Sequence, residues 1–104
     1  MLSCESKNHR MLPPEMEPIE IEKLLTQTTL EIEDRLTRGV NFEDHPEMAA
    51  LHFERAQLYV LSKEFELAIE DYTDCLDYDP YFYEADMGRE YVHMTVKEME
   101  IATT

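Results

Sequence analysis

The stretch KEFELAIEDYTDCLDYDP, residues 63–80, decides the fold. At helical spacing Phe65, Ala68, Ile69, Tyr72, Cys75 and Leu76 fall on one stripe, which predicts a helix over 65–78. Asp79-Pro80 ends it, because a residue that precedes proline disfavours helical geometry. Lys63-Glu64 supplies a short turn at its start. The first six letters return 34 residues later as KEMEIA, residues 97–102, with Phe65 and Leu67 exchanged for Met99 and Ile101. The same offset pairs Pro46 with Pro80, Arg55 with Arg89 and Leu58 with Val92. A fixed stride of this kind marks helical units that bury a face only by stacking on a neighbour.

Working outward, the pattern stays helical on both sides. Upstream, Ile21, Leu25, Thr28, Ile32 and Leu36 recur at spacings of three and four, with Pro18 suited to a first turn and Gly39 to a stop. The other face of this helix carries Glu20, Glu22, Glu31, Glu33 and Asp34, a solvated acidic surface. A loop, VNFEDHP, leads to a second helix ending near Ser62, and Asp44 and Glu47 have the spacing of a capping box. Downstream, a fourth helix is expected from about Phe82 to Thr95, with Ala85, Val92 and Val96 on one side, and a fifth begins at Glu98. Residues 1–16 are polar and proline-bearing and read as a disordered tail. The expected architecture is all-α: a short antiparallel helix-hairpin array with an extra amino-terminal helix.

Composition limits what such an array can do. The chain has 104 residues, one small domain, and 43% apolar residues suffice for a core. Two glycines and no tryptophan favour helices over tightly turning strands. Acidic residues outnumber basic ones 24 to 9, a net charge of −15, which repels phosphate backbones and anionic membrane surfaces. Neither nucleic acid nor membrane is therefore an expected partner, and a charged partner should be basic. The opening MLSCESKNHR lacks the apolar run of a secretory signal, and no apolar run is long enough for a membrane span. Cys4 and Cys75 lie in unlike contexts, which argues against a disulfide framework and leaves the cytoplasm as the expected compartment.

Residues 47–80 resemble a tetratricopeptide repeat, whose period is 34 residues. His52 stands at the family's bulky place, Arg55-Ala56 at its Leu-Gly place and Tyr59 at its tyrosine. Ala68 and Tyr72 match the alanine-to-aromatic step, Cys75 a small-residue place and Pro80 the proline. In this reading Ala56 and Ala68 leave room where the helices cross, while Tyr59, Phe65 and Tyr72 fill the gaps beside them. Residues 81–104 resemble a degenerate, partial repeat: Asp86, Arg89-Glu90 and His93 occupy the signature places, and Ala102 arrives on schedule. The organisation expected is a helix over 17–39, one repeat over 47–80 and a partial repeat over 81–104.

The resemblance implies a scaffold without catalysis or cofactor. Such repeats bind a peptide or partner helix in a groove lined by the first helix of each hairpin. Carried over, that lining is Phe53, Gln57, Val60 and Leu61, then Glu84, Met87, Tyr91 and Met94, with Tyr81 and Phe82 at the edge. The set is apolar and methionine-bearing, suited to an adaptable contact with an apolar or basic peptide. Packing against the first helix is the competing account of several of these residues. The carboxylate clamp of some chaperone-binding members is missing, since Phe53, Gln57 and Gly88 hold the matching places. A second functional reading is a piece of a longer array that acts structurally, pairing with itself through residues 85–104, which include the apolar Met99 and Ile101.

Chemical sites are poorly supported. His45 and His52 are seven apart and can share a helix face, but without the spacing of zinc hydrolases. Asp71, Asp74, Asp77 and Asp79 lack the glycine of a calcium loop and read as a solvated helix face. Cys75 has acidic neighbours, which raise a thiol pKa and oppose nucleophilic chemistry. No metal and no enzyme activity are expected.

Overall fold

The computed structural model describes residues 12–13 and 15–103, so the tail expected over 1–16 lies largely outside the described residues. Four α-helices follow in order: α1 (Pro18–Arg38), α2 (His45–Leu61), α3 (Phe65–Tyr78) and α4 (Tyr83–Thr103), with a 3₁₀ turn at Phe42–Asp44. No strand occurs among the described residues. The architecture is all-α, and each helix packs on the next.

Helix α1 begins with Pro18, where a missing N–H costs nothing, and stops at Gly39, whose φ of 96° suits glycine. Ile21, Thr28 and Ile32 of the expected stripe are buried. Leu25 is half-buried and Leu36 exposed, because the helix meets α2 along only part of its length. Arg35 bridges to α2 by donating to both carboxylate oxygens of Glu47, at 2.8 and 2.7 Å. That bond corrects the expected Asp44/Glu47 capping box. The chain enters α2 through the 3₁₀ turn, so Asp44 has φ/ψ of −85°/−7° instead of the extended backbone of an N-cap acceptor. Asp44 instead accepts from the Asn41 N–H at 2.9 Å.

The turn between α2 and α3 is a Schellman motif: the Glu64 N–H donates to Tyr59 O at 2.8 Å and the Lys63 N–H to Val60 O at 3.0 Å. Lys63 takes φ of 64° at the position usually given to glycine, a cost of about 1 kcal/mol. The packing that follows offsets it. Ala56 and Ala68 are both fully buried in one cluster with Phe53, Tyr72, Cys75, Phe82, Ala85 and Val92. Tyr59 and Phe65 pack against this cluster from its margin, and Pro80 sits exposed after the Asp79 cap. Phe53 lies 4.8 Å from Phe82 and 6.0 Å from Tyr72 between ring centroids, so α2, α3 and the entry to α4 share one core. Met48 and Leu51 close a smaller cluster with Ile32 of α1.

Helix α4 corrects the reading of the recurrent phrase. It runs unbroken for 21 residues, and KEMEIA lies inside it, so no fifth helix begins at Glu98. The first phrase turns because α3 behind it carries a full apolar stripe that repays a left-handed residue. Every residue from Lys97 to Ala102 is exposed, so a turn there would forfeit helical hydrogen bonds with nothing buried in return. Sequence recurs, but shape does not.

At Gly88, α4 lies close against Tyr72 of α3. A β-carbon there would lie 2.7 Å from Tyr72 Cζ and 2.8 Å from its Oη. Glycine to alanine inside a helix ordinarily stabilises by about 1 kcal/mol. Here Tyr72 is buried, so Gly88→Ala should instead destabilise, by about 1–3 kcal/mol through overpacking, as read by urea unfolding. A rise in stability would mean that the tyrosine ring swings aside freely.

Candidate functional site

Nine of the ten residues expected to line or edge a groove divide into three groups, and the tenth, Glu84, is half-buried in the first turn of α4. Phe53 and Phe82 are buried at 2% and 5% exposure and pack on one another with their rings tilted, so they are core residues and present no binding surface. That corrects their assignment to the groove, and the physical reason is local: Asp79-Pro80 turns the chain so that Phe82 falls back onto α2. They pack toward α3 and α4, not toward α1, which was the expected alternative. Gln57, Val60 and Leu61 are half-buried on α2 and share a small cavity of about 120 Å³ with Tyr72 and Leu12. Tyr81, Met87, Tyr91 and Met94 are exposed, from 53% to 91%.

The exposed members belong to a longer feature. Helix α4 turns Ala85 and Val92 into the core, both fully buried. At about 100° per residue, Tyr83, Met87, Tyr91, Met94 and Ile101 lie on the opposite side of the same helix. All five are more than half exposed. The stripe runs along a helix of 21 residues, roughly 30 Å long at 1.5 Å per residue. Tyr83 escaped the sequence reading because it precedes the assumed groove register. Ile101 was placed in a fifth helix that does not form. A hydropathy count around the whole of α4 would have found both, since a helix apolar on two opposed faces needs two partners. The stripe is bordered by acid: α4 carries Glu84, Asp86, Glu90, Glu98 and Glu100 against Arg89 and Lys97. Arg89 is partly engaged, donating to Thr73 Oγ1 at 3.2 Å.

A second cluster was missed altogether. Asp71, read as solvated, is 2% exposed and pinned between α2 and α3. Arg55 donates to it twice, from Nε to Oδ2 at 2.8 Å and from Nη2 to Oδ1 at 2.9 Å, and reaches Thr29 of α1 at 3.1 Å. Bonding to Asp71 raises the Arg55 pKa further, against the lowering effect of burial. His52 Nδ1 lies 2.8 Å from Asp71 Oδ1, and the carboxylate calls for the tautomer with its proton on Nδ1. Neither helix alone marks the pair: α3 carries five acidic side chains, and only the packing of α2 on α3 sets Arg55 against Asp71. The rest of the acidic run does face outward: Asp77 is exposed, and the Asp74 side chain is half exposed.

His52, Asp71 and Asp74 place ligand-type atoms within 4.8 Å of one another. The Asp71 oxygens are already taken by Arg55 and His52, which suits a structural pin better than a metal centre. Burial raises the Asp74 carboxyl, with His52 pulling the other way. Beside it a cavity of about 420 Å³ is lined by Leu36, His45, His52 and Tyr78 among others. Tyr78 fills the space between the two histidines, 5.8 Å from His52 and 5.1 Å from His45, which explains why two histidines seven residues apart share one face. Cys75 is fully buried, and burial, reinforced by Asp79, Asp71 and Glu84, pushes its thiol up to about 12, far from nucleophilic reactivity. Burial likewise raises Tyr72 to about 12.

No family model, no curated protein and no solved structure matches the chain. No helix among the described residues is long and apolar enough to cross a membrane.

Proposed function

We propose that this chain is a non-catalytic interaction module of tetratricopeptide-like build, working in the cytoplasm, whose α4 docks a basic amphipathic helix or peptide. The observation that carries the reading is the outward stripe of Tyr83, Met87, Tyr91, Met94 and Ile101, unpartnered on a helix whose other face is already buried. Two tyrosines and two methionines give such a surface large contact area and the capacity to repack around its ligand. Charge selects the ligand. Five carboxylates border the stripe, in a molecule of net charge −15, so lysines and arginines flanking an apolar face complement it. The same charges argue against the alternative of self-pairing through 85–104, because a second copy brings five more carboxylates to the same seam.

The test uses a labelled 20-residue helix of leucine and lysine with its leucines on one face, beside a scrambled peptide of equal composition. Anisotropy titration should show the amphipathic peptide binding at least about tenfold more tightly, a margin of about 1.4 kcal/mol. Tyr91→Ala combined with Met94→Ala should remove that margin without altering the melting temperature, since both side chains are exposed. Equal binding of the two peptides would reduce the interaction to bulk charge and sink the docking surface. A dimer in sedimentation at micromolar concentration that the double substitution dissolves would favour self-pairing instead.

A further inference from the structure

We propose that the inner face of α2 is a second docking surface, and that its occupant is the chain's own amino-terminal segment, anchored by Leu12. The proposal rests on a different face from the α4 stripe and stands or falls independently of it.

Leu12 is half-buried, although it belongs to no helix. It faces Gln57, Val60, Leu61 and Tyr72 across the 120 Å³ cavity. Three of those four are residues that a peptide groove was expected to use, so the Leu12 side chain sits where one of an external ligand would. The path into α1 is shaped as well. The Met16 N–H donates to Pro13 O at 3.4 Å, a turn between Leu12 and the first residue of α1. Leu61 also lines a larger cavity, of about 730 Å³, on the side where α1 begins. The end of α2 thus has apolar room on two sides, and Leu12 covers one of them.

Charge points to the same occupant. Residues 1–12 hold two basic side chains, Lys7 and Arg10, against one acidic, Glu5. The remaining 92 residues hold seven basic and 23 acidic side chains. A segment of net charge +1 is therefore joined to a body of net charge −16, and it carries leucine and methionine beside its cations. Apolar anchor plus positive flank is the ligand chemistry that the acidic body favours. Tethering supplies the rest: a short linker holds a segment at an effective concentration in the millimolar range, so a weak ligand suffices to keep the face covered. The segment acts as a built-in competitor, and external ligands of the α2 face must displace it.

The probe is a fluorescently labelled synthetic peptide of residues 1–17, titrated into the full chain and into Leu12→Asp and Leu12→Ser variants. Leu12→Ser removes the anchor without adding charge and guards against a fold defect in the other variant. Both variants should bind the peptide at least tenfold more tightly than the wild type, with methyl resonances of Val60 and Leu61 shifting in the variants and again on peptide addition. Equal affinity for wild type and variants would mean that the face is not covered in cis. Failure of the peptide to bind any of them would show that the segment has no affinity for α2. A wild-type dimer that the Leu12 variants abolish would place the segment on a second copy, which also overturns the intramolecular contact.

Discussion

Replacing Asp71 by alanine is expected to cost about 3–5 kcal/mol, the loss typical of a buried ion pair stripped of one partner. The reasoning begins with what is left behind. Arg55 would retain its charge at the α2–α3 interface without the carboxylate that now accepts two of its N–H groups, and His52 would lose its 2.8 Å partner. A domain of this size holds only about 5–15 kcal/mol in total, so the variant should be partly unfolded at 37 °C. Asp71→Asn should recover only a fraction, because an amide offers one acceptor oxygen where two are engaged. The cycle with Arg55→Met is the decisive measurement. Once the cation is gone, removing the carboxylate should cost much less, giving a coupling energy above about 1 kcal/mol by urea unfolding. Strict additivity of the two substitutions would mean that water already solvates the pair.

That cluster also shows how far the sequence could be read. The hairpin was legible because its determinants are local: an apolar stripe at helical spacing, alanines at the crossing, and a proline after Asp79. Ala56, Ala68, Tyr72 and Cys75 are buried together as that pattern requires. Asp71 was misread because the same local rule, acidic residues between stripe positions, places it on the solvent side. Only the position of α2 reveals that Arg55 lies opposite. The recurrence at 97–102 misled for a related reason. Whether Lys-Glu turns or stays helical depends on what the following residues can bury, and KEMEIA is followed by none of the packing that follows KEFELA. Exposure on α4 was half legible: Met87, Tyr91 and Met94 were expected at a surface, while Tyr83 lies ahead of the assumed groove register and Ile101 joins the stripe because α4 is continuous.

Phe53→Ala separates core from surface most sharply. Its ring is 2% exposed and touches Phe82 and Tyr72, one residue from each neighbouring element, so truncation opens a cavity where α2, α3 and the start of α4 meet. Loss of a buried aromatic ring costs about 3–5 kcal/mol, set by how far the walls can collapse. Collapse is restricted here, because Tyr72 is itself buried and already lies close against Gly88 of α4. The expected result is a melting temperature lowered by more than about 10 °C, at 4–8 °C per kcal/mol for a domain of this size. Tyr91→Ala, at 65% exposure on the outward stripe, should leave melting within about 2 °C while weakening capture of the amphipathic peptide. The two residues were expected to behave alike as groove lining, and their opposite responses define which side of α4 carries the ligand. A stable Phe53→Ala protein with impaired peptide capture would return Phe53 to the binding surface and require α4 to pack differently against α2.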